Sequence, residues 1–388
     1  MGEQLYDMDR HLLLSGSLAY QLTAADRKTV LQNVQKIILD GCDFSDEDGA
    51  LLLDSLDYIC DAYGDRHRRL GPPAVLHPIR ATATMARAVA PTPDVTELLA
   101  VLFHDKMEDL PKEAYDDEPP EVFENLEKRF YELLDRLPQP KQDFLAARLI
   151  ALTSAPNQSY NNYIYSMLLH AAKDLSTLRC KLADRLDNTL DMRLDYQDPL
   201  QSSNFYKVVF DIMVIKTEKS NIAMTHPIKS EMNGEQRLRQ LFKNIVLLSL
   251  IRRGGMFPVG KDPIIDRLCS ALVTATSLEA QRNILHIFNY HMQDARVKRD
   301  SIAGAMEYCK RGGINEVTNC DGSFPLDGLF EYFAQSKGCA PAEKFVNFYD
   351  NKPLMVQACI AFIAICSKFS SEADFYVRGI TGESIAPE

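Results

Sequence analysis

Residues 101–109, Val-Leu-Phe-His-Asp-Lys-Met-Glu-Asp, place a histidine and three carboxylates within six residues, directly after an apolar run. The run begins with acids at positions 94 and 97, which is the spacing of a helix start signal, and it continues as an apolar stripe at helical spacing. We therefore predict one helix that carries the whole stretch. On such a helix the i,i+4 pairs share a face and line one wall of a pocket: His104, Asp105, Glu108 and Asp109.

The composition limits the class of protein. The chain has 388 residues with a net charge of −11 and 46% hydrophobic residues, which is typical of a soluble globular protein and argues against nucleic-acid or anionic-membrane binding. The nine cysteines are scattered and form no C-x-x-C pair. Free thiols in a reducing compartment are therefore predicted, rather than a disulfide framework or a structural zinc site.

Two further features concern localisation. The N-terminus lacks a basic segment followed by an apolar run, so no signal peptide is predicted. The most apolar stretch, Leu354–Cys366, is too short for a membrane-spanning helix. We expect a cytoplasmic protein without a membrane partner.

Helical periodicity extends along the rest of the chain, and strand signals are weak, so the predicted fold class is all-α. Dinucleotide, P-loop and nucleophile-elbow motifs are absent. In the C-terminal half we predict helices at 235–252, 263–275, 278–292, 300–310, 325–336 and 352–368.

Two more segments carry candidate chemistry. Arg66, Arg68 and Arg69 stand in a loop before Gly71, where they could be a solvated charge cluster or a phosphate clamp, because guanidinium groups pair with phosphate oxygens. Downstream, Asp184 and Asn188 share one face of a predicted helix that is turned partly inward. A buried Asp is costly unless it is paired or bound to a metal.

Four blocks in fixed order together resemble the HD-domain hydrolase part of the Rel/SpoT family of alarmone enzymes. The blocks are His77-Pro78, His104-Asp105, Glu108-Asp109 and residues 181–188, Lys-Leu-Ala-Asp-Arg-Leu-Asp-Asn. The segment from Thr153 to Tyr163 also resembles a linker of the small alarmone hydrolases. The resemblance covers about residues 45–200 and implies an all-α HD-domain bundle that holds one divalent metal, usually Mn²⁺.

The resemblance also implies roles. The metal ligands would be His77, His104, Asp105 and Asp184, a donor set that suits Mn²⁺, Fe²⁺ or Zn²⁺. Glu108 and Asp109 would orient or deprotonate the attacking water. The substrate contacts would come from Arg68, Arg69, Asn188 and Tyr160. The implied reaction removes pyrophosphate from the 3′ position of guanosine tetra- or pentaphosphate.

The sequence departs from the family pattern at the recognition loop, where the usual Arg-Lys-Ser-Gly is Arg68-Arg69-Leu70-Gly71. Asp187 replaces the usual His before the Asn, and Lys106-Met107 replaces Val-Val. These departures leave three alternatives open: an alarmone pyrophosphohydrolase, the same site acting on an adenosine alarmone or NADPH, and a vestigial HD domain in an interaction protein.

The domain prediction follows from where the motifs end. We predict an N-terminal helical extension at 1–44, a metal-dependent phosphohydrolase domain at 45–200 and a helical C-terminal domain at 201–388. The predicted partner is a phosphorylated nucleotide. A protein partner or self-association through the C-terminal half stays open.

Overall fold

The computed structural model describes residues 10–15, 27–68, 73–156, 158–192, 234–255, 257–258, 260–316, 324–327 and 348–382. Over these residues the chain is mainly helical, with two isolated β-bridges and no strand. The all-α prediction is confirmed at this level. The chain divides into two compact units, one of residues 1–153 with 174–231 and the other of 154–173 with 232–388.

The first unit contains nine helices besides the short helical segment 10–15, counted over the residues described above. They are α1 (Arg27–Ile38), α2 (Asp46–Tyr63), α3 (Leu76–Val89), α4 (Val95–Leu102), α5 (Lys106–Asp109), α6 (Pro120–Leu134), α7 (Gln139–Leu152) and, after residues 154–173, which belong to the second unit, α9 (Leu175–Asp191). The remaining one is a 3-10 turn at Lys112–Tyr115.

Helix α4 is the centre of the first unit. All eight of its residues are buried, and it packs against α2, α3, α7 and α9. A helix that is apolar on every side is stable only when neighbours surround it, so this segment fixes the arrangement of the helices around it. Asp94 caps its N-terminus by accepting the backbone N–H of Thr96 at 2.7 Å. The segment that follows α4, from residue 103 onward, therefore begins at a helix that is fixed on all sides.

Helices α3 and α9 also pack directly on each other. Helix α3 presents small buried residues, among them Ala81, Ala86 and Ala88, which allow the helix backbones to approach closely. Helix α9 is unusual because polar side chains as well as apolar ones are buried along it. Buried polar groups need partners, so these side chains must be paired inside the unit.

The second unit is built from α8 (Tyr160–Ala171), α10 (Gly234–Arg252), α11 (Pro263–Tyr290), α12 (Ala295–Lys310) and α13 (Lys352–Ser371). Helix α13 packs on α10, α11 and α12, and α10 packs on α8. Helix α13 is 20 residues long, and by length and composition it could cross a membrane. The prediction that this stretch is too short is therefore wrong, but 61% of its most apolar window is buried, as in the core helix of a soluble protein.

Several predicted boundaries change. The helices predicted at 263–275 and 278–292 are one continuous helix, α11, because no residue between them interrupts the backbone hydrogen bonds. Helix α12 begins at Ala295, where Asp294 supplies an N-cap, rather than at residue 300. The predicted helix at 325–336 lies largely outside the described residues. Helix α8 groups with the second unit and not with the rest of the predicted 45–200 domain.

Candidate metal centre

Four side chains from three elements of the first unit meet at one point. His77 lies in the first turn of α3, His104 and Asp105 lie in the turn after α4, and Asp184 lies on α9. The Nε2 atoms of the two histidines are 3.2 Å apart. Asp105 Oδ2 is 3.3 Å from His77 Nε2 and 3.1 Å from His104 Nε2. Asp184 Oδ1 is 3.3 and 3.6 Å from the same two nitrogens.

These distances suit a shared cation. Ligand atoms at about 2.0–2.2 Å from a metal lie about 3.0–3.5 Å from one another in tetrahedral or octahedral geometry. Candidate ligand atoms of His77, His104 and Asp105 all lie within 4.8 Å of one another. Two imidazoles and carboxylates form a donor set for a borderline transition metal such as Mn²⁺, Fe²⁺ or Zn²⁺. His77, His104 and Asp105 could therefore hold a divalent ion together, and Asp184 Oδ1 lies beside these three residues.

The stretch around His104 differs from the single helix that we predicted. Helix α4 ends at Leu102, residues 103–105 form a turn, and α5 is a single turn of helix. The Val101 carbonyl accepts His104 Nδ1–H at 2.6 Å, in place of the Asp105 N–H that a continuous helix would offer. The same carbonyl also accepts the His104 backbone N–H, at 3.5 Å, so the chain turns at this carbonyl instead of continuing α4.

The break orients the ligand. A carbonyl oxygen can only accept a hydrogen bond, so His104 Nδ1 carries a proton and Nε2 faces the cluster. The Asp105 carboxylate contacts both imidazoles. The continuous helix assumed by the i,i+4 argument is wrong, because the helix ends at Leu102 and a separate turn of helix begins at Lys106.

His77 is oriented from the other direction by Asp187. Its Nδ1 lies 2.7 Å from Asp187 Oδ2, which leaves Nε2 to face the other ligands. Arg80 holds the same carboxylate with two hydrogen bonds, from Nε at 2.9 Å and from Nη2 at 3.1 Å. Sequence reasoning treated Asp187 only as a departure from the family pattern. The available signal was its spacing: it lies three residues after Asp184 on a helix that is buried on that face.

Charge is unevenly distributed around the centre. Five carboxylates surround it and three side-chain cations contact them, so the cluster is acidic. The carboxylates belong to Asp105, Asp109, Asp184, Asp187 and Asp191, and the cations are Arg68, Arg80 and Lys181.

The negative charge of these carboxylates raises the pKa values of the two histidines. Burial and the charge of Arg68 lower the pKa of His77, but its hydrogen bonds to Asp105, Asp184 and Asp187 outweigh them and raise it to about 9. The pKa of His104 is raised well above its ordinary value in the same way, against the effect of burial. The carboxylates therefore draw positive charge into the site, as protons on the imidazoles or as a metal ion.

Asp109 and Glu108 lie just beyond the ligands. Asp109 Oδ2 accepts a hydrogen bond from the Tyr63 hydroxyl at 2.9 Å, which fixes its carboxylate. Burial and the nearby charge of Asp105 raise the pKa of Asp109, against the hydrogen bond from Tyr63. The Glu108 side chain is exposed. Asp109 also has exposed surface, and the contact with Tyr63 fixes its carboxylate on one side.

The predicted substrate residues fall in different places. Arg68 donates a hydrogen bond to the Asn188 side-chain oxygen and forms an ion pair with Asp191 at 3.2 Å. Arg68 and Asn188 are therefore neighbours beside the ligand Asp184, whose carboxylate accepts a hydrogen bond from Asn188. Arg69 lies outside the described residues.

Arg66 does not belong to a phosphate clamp. It donates to the backbone carbonyls of Ala62 and Ala114 at 2.7 and 2.6 Å and lies over the Tyr115 ring. These contacts tie α2 to the segment after α5, so its role is structural.

Tyr160 is the first residue of α8, in the second unit. Its ring faces Lys243, whose Nζ is 5.2 Å from the ring centroid, and lies 6.2 Å from the Tyr163 ring. Its role in substrate binding stays a prediction.

The cysteines of the described residues are free, as predicted. No protein-family profile matches this sequence, and a search of curated proteins finds no significant match.

Proposed function

We propose that this chain is a metal-dependent phosphohydrolase that acts on a phosphorylated nucleotide. One observation carries the proposal: the ligand atoms of His77, His104, Asp105 and Asp184 converge at distances that suit one divalent ion. Carboxylates at such a point repel one another unless a cation holds them together. An HD-domain architecture for the first unit is part of the same proposal.

The four converging side chains would hold the metal, with Mn²⁺ as the first candidate and Fe²⁺ or Zn²⁺ as others. A divalent ion bound there supplies Lewis acidity toward a phosphoryl oxygen and activates a water nucleophile. The protein orients the two histidines through their Nδ1 atoms. The Val101 carbonyl contacts His104, and the Asp187 carboxylate contacts His77.

The residues around the ligands have complementary roles. Asp109, held by the Tyr63 hydroxyl, would accept the proton of the attacking water, and Glu108 would assist in orienting it. Arg68 and Asn188 are adjacent and together offer a guanidinium and an amide to the phosphate and nucleoside parts of a substrate.

The substrate that the resemblance to Rel/SpoT hydrolases favours is guanosine tetra- or pentaphosphate, with release of pyrophosphate from the 3′ position. A second candidate is the same chemistry on an adenosine alarmone or NADPH. It is motivated by the recognition loop, where Leu70 removes a hydroxyl and Arg69 replaces a lysine of the family pattern. The cytoplasm, where such nucleotides occur, is the proposed location.

The proposal is tested by measuring pyrophosphate and phosphate release from guanosine tetraphosphate, its adenosine counterpart and NADPH, with Mn²⁺ and with EDTA. We expect pyrophosphate release that EDTA abolishes. Asp105→Ala removes a ligand, and we expect the rate to fall about 10³-fold or more, because such an ion contributes several kcal/mol to transition-state stabilisation.

Asp174→Asn is the matched control. Asp174 pairs with Arg148 at 2.6 Å in the same unit, at the N-cap of α9 and apart from the ligands. This variant should hydrolyse substrate at the wild-type rate. Phosphate release from NADPH alone would select the second candidate. Wild-type protein that neither binds a divalent metal nor hydrolyses any of the three nucleotides would instead favour an interaction protein with a vestigial site.

A further inference from the structure

A buried clamp lies behind the metal ligand His77. The Asp187 carboxylate accepts His77 Nδ1–H at 2.7 Å and two hydrogen bonds from Arg80. Asp187 and Arg80 are both about 1% exposed. A carboxylate that is removed from water in this way must have its lone pairs satisfied by protein groups, and here each of its oxygens contacts a guanidinium nitrogen.

Residues 10–15 close the remaining side of this clamp. His11 Nδ1 lies 3.4 Å from Asp187 Oδ1, and Arg80 Nη1 donates to the Ser15 hydroxyl at 3.2 Å. Ser15 in turn donates to the His11 backbone carbonyl at 2.7 Å, a bond within the segment that fixes the Ser15 hydroxyl. Leu14, between them, is buried in the core of the first unit. The short segment is thus anchored by both apolar and polar contacts.

We propose that Asp187 is the positioning residue for His77, and that Arg80, His11 and Ser15 hold it in place, so that residues 10–15 are part of the metal centre. This inference rests on the metal site of the proposed function and extends it to a segment more than 60 residues away in sequence. Asp187 acts through His77: it fixes the ring orientation and the tautomer with Nε2 toward the ligands.

The arrangement also explains why an aspartate suits this position. A carboxylate accepts the imidazole proton and increases the basicity of the ligating nitrogen, whereas a neutral group does so more weakly. Arg80 keeps that carboxylate ionised inside the protein and also contacts Asp191 at 2.8 Å. Asp187 and Arg80 therefore act as one unit.

The test is metal affinity, measured with the full-length protein by titration of Mn²⁺ or Co²⁺ into metal-free protein. Asp187→Asn keeps the volume of the side chain and removes its charge. We expect about a 10–100-fold loss of affinity, which is the usual effect of removing a group that supports a ligand. His11→Leu should produce a smaller loss of the same sign. Asp174→Asn, which breaks a comparable Asp–Arg pair of α9, should bind metal within about twofold of wild type.

A spectroscopic readout separates positioning from general destabilisation. The chain has eight histidines, so long-range ¹H–¹⁵N spectra of the zinc-loaded protein can assign their tautomers. We expect the His77 proton on Nδ1 in wild type. This measurement needs no variant, so it can overturn the inference even if Asp187→Asn fails to fold. A proton on Nε2 of His77 would overturn it.

The outcomes distinguish this inference from the proposed function. If Asp187→Asn binds metal like wild type while wild type hydrolyses a nucleotide, the positioning role is wrong and the function stands. If wild type binds metal, Asp187→Asn loses it and no nucleotide is hydrolysed, the positioning role stands and the proposed reaction is wrong.

Discussion

Each unit of this protein buries a cluster of charged side chains, and the two clusters are built in opposite ways. In the second unit Glu279 is fully buried and accepts two hydrogen bonds from Arg282, at 2.6 and 2.8 Å, and one from Asn283 at 3.2 Å. Arg237 adds a guanidinium 3.8 Å from the same carboxylate. Here every carboxylate oxygen faces a donor.

In the first unit the ligand atoms face one another instead. His77 Nε2, His104 Nε2 and Asp105 Oδ2 converge beside Asp184 Oδ1, which also accepts a hydrogen bond from Asn188, while the Nδ1 atoms of both histidines contact other groups. A closed cluster stabilises the fold because donors match acceptors, whereas an open cluster of converging acceptors needs a cation. The direction in which the polar atoms point separates a structural cluster from a candidate site.

The largest expected effect on stability comes from breaking the closed cluster. Glu279→Gln leaves the buried Arg237 and the partly buried Arg282 facing an uncharged amide, and we expect a loss of about 3–5 kcal/mol. For a unit of this size that corresponds to a decrease in Tm of roughly 6–20 °C, measurable by circular dichroism or calorimetry. Metal bound per folded chain should stay at the wild-type value.

Asp105→Asn is the control for Glu279→Gln, because we expect it to abolish metal binding and to change the stability of the metal-free protein little. Its side chain is 24% exposed, so water can solvate the changed group, and in chelator we expect less than half of the Glu279→Gln destabilisation. Metal content, measured by elemental analysis, should fall to background. If Asp105→Asn destabilised the metal-free protein as much as Glu279→Gln, the distinction between open and closed clusters would be lost.

A smaller effect is expected from the metal alone. A ligand at 100 times its Kd stabilises the state that binds it by about 2.7 kcal/mol, so Mn²⁺ at that excess should raise the Tm of the first unit by roughly 5–11 °C over the value in EDTA. Glu279→Gln should retain this shift in full, and Asp105→Asn should show none. An equal shift in all three proteins would indicate that Mn²⁺ binds elsewhere.

The smallest expected effect is the dependence of stability on pH at the ion pair between Asp174 and Arg148. Burial raises the pKa of Asp174, but the hydrogen bond and charge of Arg148 outweigh it, so the pKa is lowered. A folded-state pKa below the unfolded value gives stability that is present above about pH 4 and is lost as pH falls through the folded pKa. Wild type should therefore exceed Asp174→Asn by about 1–2 kcal/mol at pH 7 in urea denaturation, with a smaller difference near pH 3.5.

Asp54→Asn serves as the comparison for that measurement, because Asp54 and its partner Arg136 are exposed and such pairs contribute about 0–1 kcal/mol. A wild-type advantage over Asp174→Asn that did not change with pH would contradict the role of the Asp174 charge.

Much of this molecule was predictable from local sequence. The helical class and most helices follow from apolar periodicity and from caps such as Ser45 and Asp94. The four predicted metal ligands do lie together, because their motifs come from a family resemblance that already contains three-dimensional information. Periodicity alone would not have paired Asp184 with His77, which is 107 positions away in the chain.

What could not be predicted depends on contacts between distant residues. At the helix end after Leu102, the His104 imidazole donates to the Val101 carbonyl. Helix propensities do not describe such side-chain to backbone hydrogen bonds. The importance of Asp187 depends on Arg80 and His11, whose packing against it is visible only in the folded chain. Grouping of α8 with the second unit likewise depends on its packing against α10.

The path of the backbone has a practical consequence for dissecting the protein. The chain passes from one unit to the other three times, since residues 154–173 belong with 232–388. Cleavage at one peptide bond therefore cannot release either unit whole. A fragment that stops near residue 200 would retain α8 without α10 and expose the apolar side chains of Tyr163, Ile164, Met167 and Leu168. An isolated first unit that stays soluble requires α8 to be replaced by a short polar linker between residues 153 and 174.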